Sequence, residues 1–275
     1  MLLLGCRSSS GPEDYYVAEA RNHVRAAWSP NGATIAFTAI INNVLGIYLV
    51  DTSGADLRIF VAGDAVGATW SPDNQWIAFS SGNRLYKMRI NGDKPDTLSR
   101  VGNSIRPAWS RDGRKIAFVR SSNIFLLGLL TGVETDLLLQ ANYPSWHPNG
   151  DEIVAQETNA EAGLYRFMAV HDSTKAVRSL HSFATADECD FSSISPNGDA
   201  IVYARRAKRD YTQIWKVNLT TGQHVQLTTD SGDFPAWSPD GAKIVYTRTV
   251  AGDGALWIMN ADGTQKRRLT ASLGL

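Results

Sequence analysis

The sequence predicts an all-β fold, a six-bladed β-propeller with four antiparallel strands per blade. Three observations carry this. A phrase of the type Trp-Ser-Pro-Asp-Gly occurs six times. Each copy is followed by the same order of short β-forming runs and turns. The steps between copies are 42, 39, 37, 48 and 43 residues, each the length of one blade.

The phrase comes first in each unit. It reads Trp28-Ser29-Pro30-Asn31-Gly32, Trp70-Ser71-Pro72-Asp73-Asn74 and Trp109-Ser110-Arg111-Asp112-Gly113. The other three copies are Trp146-His147-Pro148-Asn149-Gly150, Ile194-Ser195-Pro196-Asn197-Gly198 and Trp237-Ser238-Pro239-Asp240-Gly241. Proline presets φ near −65°, Asn or Asp suits the next position, and Gly accepts positive φ. The phrase therefore predicts a tight hairpin between strands A and B. The tryptophan before it supplies a large apolar body to pack between neighbouring sheets.

Strand B follows as an apolar run: Ile35-Ala36-Phe37, Ile77-Ala78-Phe79, Ile116-Ala117-Phe118, Ile153-Val154-Ala155, Ile201-Val202-Tyr203 and Ile244-Val245-Tyr246. Strand C carries an aliphatic–aromatic pair such as Ile47-Tyr48 or Leu256-Trp257. A second turn, as in Asp51-Thr52-Ser53-Gly54, leads to a short strand D, as in His224 to Thr228. One such sheet cannot bury both faces alone, whereas six around an axis bury each against two neighbours. Each blade is expected to be complete within the chain. The segment from Asp14 to Ala18 is a candidate extra outer strand for the last blade.

These repeats resemble the WD40-like PD40 repeat of the TolB family, over residues 21–275. The resemblance implies the propeller fold and a setting in the bacterial cell envelope. In the TolB family a separate α/β domain precedes the propeller, and the segment before the first repeat is too short to hold one. Related propellers also occur in serine oligopeptidases and in lyases acting on pectic oligosaccharides.

Residues 1–20 form an N-terminal segment. Met1 to Cys6 resembles a bacterial lipobox, with Cys6 as the lipidated residue and the Ser/Gly/Pro stretch after it as a tether. Its apolar run is shorter than a signal peptide requires, so a plain apolar terminus is the alternative. No run of about 18 apolar residues is present to span a membrane as a helix.

Lys plus Arg and Asp plus Glu both number 27, which argues against a dedicated nucleic-acid binder. Two cysteines, Cys6 and Cys189, cannot make a disulfide framework for this length. The nucleophile phrase Gly-x-Ser-x-Gly, phosphate loops and dinucleotide motifs are absent from the sequence. The five histidines, His23, His147, His171, His181 and His224, are predicted not to converge on a metal. Asp187, Glu188, Asp190 and Asp233 read as a solvated acidic group rather than a calcium loop. Arg205, Arg206, Lys208 and Arg209 read as a hairpin tip.

Hairpin order puts the A–B and C–D turns on one end of the ring. The longer B–C loops and D–A connections lie on the other, and variable loops on a rigid scaffold are where binding residues concentrate. The candidate binding residues line the channel mouth at that end, just before strand A. They are Asn22, His23, Arg25, Asn103, Arg106, Asn142, Tyr143, Asp190, Phe191, Asp233 and Phe234. The expectation is a monomeric, non-enzymatic module that binds a protein or peptide partner, without catalytic residues, metal or cofactor. Its expected location is the periplasm or, through Cys6, the outer membrane. Two alternatives stand beside it: a polysaccharide-active, metal-dependent lyase or hydrolase, and a cytoplasmic scaffold or sensor subunit.

Overall fold

Six turns and twenty-four β-forming runs become six four-stranded antiparallel sheets arranged around an axis. The computed structural model describes residues 25–270 apart from 93, 100, 160–163, 186, 207–210, 251 and 252. The proposed strand from Asp14 to Ala18 lies outside them.

The first blade comprises β1 (Ala26–Trp28), β2 (Thr34–Ile41), β3 (Val44–Asp51) and β4 (Arg58–Ala62). The second comprises β5 (Val66–Trp70), β6 (Trp76–Ser81), β7 (Arg84–Arg89) and β8 (Asp96–Thr97). The third runs through β9 (Ile105–Trp109), β10 (Lys115–Arg120), β11 (Asn123–Gly128) and β12 (Glu134–Gln140). The fourth has β13 (Asn142–Trp146), β14 (Glu152–Asn159), β15 (Leu164–His171) and β16 (Val177–Ala184). The fifth has β17 (Glu188–Ile194), β18 (Ala200–Arg206), β19 (Gln213–Asn218) and β20 (His224–Gln226). The sixth has β21 (Asp233–Trp237), β22 (Lys243–Val250), β23 (Asp253–Asn260) and β24 (Arg267–Arg268). Among the described residues every blade takes its strands consecutively from the chain.

The repeated phrase forms the A–B hairpin. In the first blade Ser29 N donates to Thr34 O (2.8 Å) and Gly32 N to Ser29 O (2.8 Å). The serine hydroxyl is the hub: it donates to Asn31 Oδ1 (2.7 Å) and accepts from Thr34 N (2.9 Å). Ser71, Ser110 and Ser238 repeat this with Asp73, Asp112 and Asp240. In the fifth blade Ser195 turns to Asp199 instead. Gly32 sits at φ 71°, and the second blade fills that position with Asn74 at φ 59°.

The core is divided into wedges. Six apolar clusters form, one per seam between adjacent blades. Strand B feeds both sides by its alternation: Ile35 and Phe37 face the sixth blade, and Ala36 faces the second. Both faces are therefore buried, which explains the unbroken apolar triplets.

The phrase tryptophans add a polar stitch to the packing. Trp70 Nε1 donates to Ala27 O (3.1 Å), Trp146 Nε1 to Ala108 O (3.0 Å) and Trp237 Nε1 to Ser193 O (3.2 Å). Trp28 Nε1 donates to Ala236 O (3.2 Å), closing the ring from first blade to sixth by the same bond. Trp109 departs: its indole reaches Gly113 O in its own turn (3.2 Å).

Candidate functional site

The site is built by one repeated irregularity. Three residues before the phrase tryptophan, or before Ile194, stand Arg25, Gly67, Arg106, Tyr143, Phe191 and Phe234. Five of these have left-handed backbone: Gly67 (φ 68°), Arg106 (56°), Tyr143 (57°), Phe191 (55°) and Phe234 (49°). The A–B register slips at the same place in those five blades. Such a bulge re-aims a side chain, here toward the axis. A non-glycine residue in this conformation costs about 1–3 kcal/mol.

The result is a plug of arginine and aromatic side chains. Phe191 lies 3.8 Å from Phe234 and 5.0 Å from Tyr143 between ring centroids. From across the channel, the Arg25 guanidinium sits 5.8, 5.7 and 5.5 Å from the Tyr143, Phe191 and Phe234 rings. Arg106 stands 4.5 Å from the Tyr143 ring, and its Nη1 donates to Asn142 Oδ1 (2.9 Å). Cation–π contacts of this kind strengthen as they are desolvated.

Two carboxyl groups flank the plug, one residue earlier in the chain. Tyr143 Oη donates to Asp190 Oδ1 (3.1 Å), and Phe234 N donates to Asp233 Oδ1 (3.1 Å). Burial pushes Asp190 up to about 6, against the pull of the Tyr143 bond and the Arg106 charge. Burial pushes Asp233 up to about 7, and the Asp190 charge adds to it. Both keep some accessible surface, but the protein around each carboxyl displaces most of its hydration.

Below the plug lies a cavity of about 360 Å³. Its walls are the small side chains of the second half of each strand A together with the Trp109 and Trp146 rings, and Arg111 of the third A–B turn lies at its mouth. The cavity thus extends from the plug toward the A–B turns.

Of the candidate residues, Arg25, Arg106, Tyr143, Phe191 and Phe234 converge on the axis, and the cavity they close extends toward the short, uniform turns. Gly67, the sixth plug position, was missed because glycine brings no chemistry to notice, yet its place three residues before Trp70 marks it. Asn103 is exposed on a D–A connection with φ 61° and does not line the cavity. Asn142, Asp190 and Asp233 stand behind the plug. Asn22, His23 and Cys6 lie outside the described residues.

Two of the five histidines, His181 and His224, meet with Nε2 atoms 2.9 Å apart. Both belong to rim strands, β16 and β20, of adjacent blades, and β16 is long enough to carry His181 beside its neighbour. His224 Nδ1 lies 2.7 Å from Tyr203 Oη. Among the described residues no three His, Cys, Asp or Glu side chains are grouped to hold a metal. The acidic insertion is ion-paired rather than simply solvated: Asp187 binds Arg205 (2.6 Å) and Glu188 binds Arg206. Lys208 and Arg209 lie outside the described residues.

A family model described as the TolB β-propeller domain, PD40, matches residues 12–188 and 144–275. No curated protein matches the chain in sequence. By structure the chain is similar to TolB from Acinetobacter baumannii, with a TM-score of 0.72 and 19% identity over 88% of this chain. It spans 62% of that TolB chain. It is also similar to an oligogalacturonate lyase in complex with manganese (TM-score 0.62, 16% identity, 90% of this chain and 76% of that one). A chain of a nidogen/laminin complex matches with a TM-score of 0.65 and 11% identity, over 91% of this chain and 94% of the other. At these identities the likenesses to solved structures describe the fold alone.

Proposed function

Because this chain belongs to the TolB β-propeller family, we propose that it is a non-enzymatic binding module of the bacterial cell envelope that takes a protein or peptide partner at its central channel. The observation that carries this reading is the plug. Four non-glycine residues adopt left-handed backbone at the axis, where Gly67 meets the same geometry without a side chain. Strain retained at equivalent positions points to side chains kept for contact rather than for folding. Rigid aromatic and arginine groups over small-residue walls are the composition of binding hot spots.

The test is an affinity pull-down from native envelope extract with the full chain as bait. The comparison bait carries Arg106→Ala, Tyr143→Ala and Asp233→Ala together. A partner held by the first and released by the second, with both baits folded, supports the module. Equal capture by both removes the channel from the reading.

One observation favours a second reading. Two neighbouring carboxyls raised to about 6 and about 7 are suited to proton transfer near neutral pH, and one structural neighbour is the oligogalacturonate lyase. Metal-dependent cleavage of oligogalacturonate, abolished by Asp190→Asn, would replace the binding module with an enzyme.

A further inference from the structure

The cavity below the plug has a one-sided chemistry. Arg25, Arg106 and Arg111 line it, and no Asp, Glu, Asn or Gln does so among the described residues. A concave site lined by charge of one sign concentrates ligands of the other.

Arg111 is the clearest departure from the repeat. Five of the six phrases hold proline there: Pro30, Pro72, Pro148, Pro196 and Pro239. The turn itself is unchanged, since Gly113 N still donates to Ser110 O at 3.0 Å. Replacing a compatible proline forgoes some of its restriction of the unfolded chain. What the substitution provides is an exposed guanidinium at the cavity mouth. Its Nη2 reaches the fifth blade's Pro196 O at 3.4 Å, a long bond that a better acceptor would displace.

Deeper in, Arg106 is only 8% exposed. Its plane is fixed by Tyr143 and Asn142, so little ordering remains to oppose binding. Gly67 adds no side chain to the plug, leaving it incomplete on the second blade's side.

We infer that this cavity is an anion site for the carboxylate-bearing end of an acidic peptide, entering past Arg111 and ending at Arg106 and Arg25. The inference rests on the binding-module reading and specifies its ligand. Guanidinium is the cation that grips carboxylate through two parallel bonds. A peptide fits better than an acidic sugar for two reasons. The side-chain amides and carboxylates that would bind sugar hydroxyls are missing from the lining. The plug's aromatic rings face Arg25 and one another, and the two tryptophans of the lining, Trp109 and Trp146, are tied edge-on by their indole nitrogens to Gly113 O and Ala108 O, with Trp146 only 7% exposed. Between the arginines the wall includes the small side chains of Ala27, Ala68, Ala108, Ser145, Ser193 and Ala236.

Titration calorimetry on the full chain tests this with tetraglutamate, tetraglutamine and digalacturonate. Tetraglutamate is expected to bind and tetraglutamine not, with affinity falling as salt rises. Arg111→Gln should weaken tetraglutamate about tenfold, the loss of one charge-assisted bond, and Arg106→Gln should weaken it at least as much. Arg111 is exposed, so its variant should melt like the wild type, and this keeps the test valid if Arg106→Gln misfolds. Equal binding of the two peptides, no tetraglutamate binding, or indifference to Arg111→Gln would overturn the site. Tighter binding of digalacturonate than of tetraglutamate would overturn the peptide assignment. An envelope partner still captured by the Arg111→Gln protein after tetraglutamate has failed would preserve the module and sink the anion site alone.

Discussion

Between the first and second blades, the Trp70 indole donates to Ala27 O close to the channel. Between the fourth and fifth, Ile194 stands in the tryptophan's place, and a polar contact forms at the rim where His181 meets His224. Both seams are packed by an apolar cluster of the same kind. The difference lies in how the polar contact responds to protons. An indole N–H donates at any ordinary pH. Two facing imidazole nitrogens need one to donate and one to accept, and protonation leaves two donors opposed. Burial holds both histidines below their ordinary value, and Arg205 adds to this at His224.

The largest expected effect tests the tryptophan seam. Trp70, 8% exposed, should cost about 3–5 kcal/mol as Trp70→Ala, measured by urea unfolding. Trp70→Phe should cost about 1 kcal/mol beyond its packing change, the value of the lost hydrogen bond. Equal losses would mean that the seam relies on the stitch and not on the ring volume.

The histidine seam comes next. Because both imidazoles titrate lower when folded, the unfolded chain binds more protons just below its own value of about 6.5. This contribution is full above that pH and is lost as pH falls. His224→Ala should therefore cost about 1–2 kcal/mol at pH 8 and much less at pH 5. A cost that is flat with pH would break the contrast with the tryptophan seams.

Asp190 and Asp233 slope the other way. Their folded values of about 6 and about 7 exceed the unfolded carboxylate value, so their contribution is full below about pH 4 and lost as pH rises through 6 to 7. Asp233→Asn should raise stability by about 1 kcal/mol at pH 8 and leave it unchanged at pH 4. Running this variant beside His224→Ala separates the two slopes. The smallest effect belongs to Trp109→Phe. The indole bond there stays within its own turn, so the loss should be under about 1 kcal/mol in the same unfolding assay.

The blade was legible because its signal is local. Ser, Pro, Asp and Gly encode a hairpin within five residues, and Ile35-Ala36-Phe37 shows by composition that both faces are buried. Repetition then fixes the number of blades. The plug residues were also legible, since Arg25, Arg106, Tyr143, Phe191 and Phe234 fall at one offset from the phrase. What sequence did not show are relations between units. The His181–His224 pair spans 43 residues and two sheets, and neither residue sits in a motif. Nor did sequence show the bulges, which follow from backbone geometry more than residue type: Gly67, Arg106 and Phe234 all adopt them.

Ring closure carries a consequence for how such a molecule can change. Within the described residues no blade borrows a strand from a distant part of the chain, and the seam from first blade to sixth uses the same indole bond and apolar wedge as its neighbours. The circle therefore has no privileged starting point. Circular permutation that opens the chain at another D–A connection would leave every sheet intact. By the same logic a tandem duplication would insert a whole wedge with its own stitch, so that blade number in this architecture can be counted in copies of a single genetic unit.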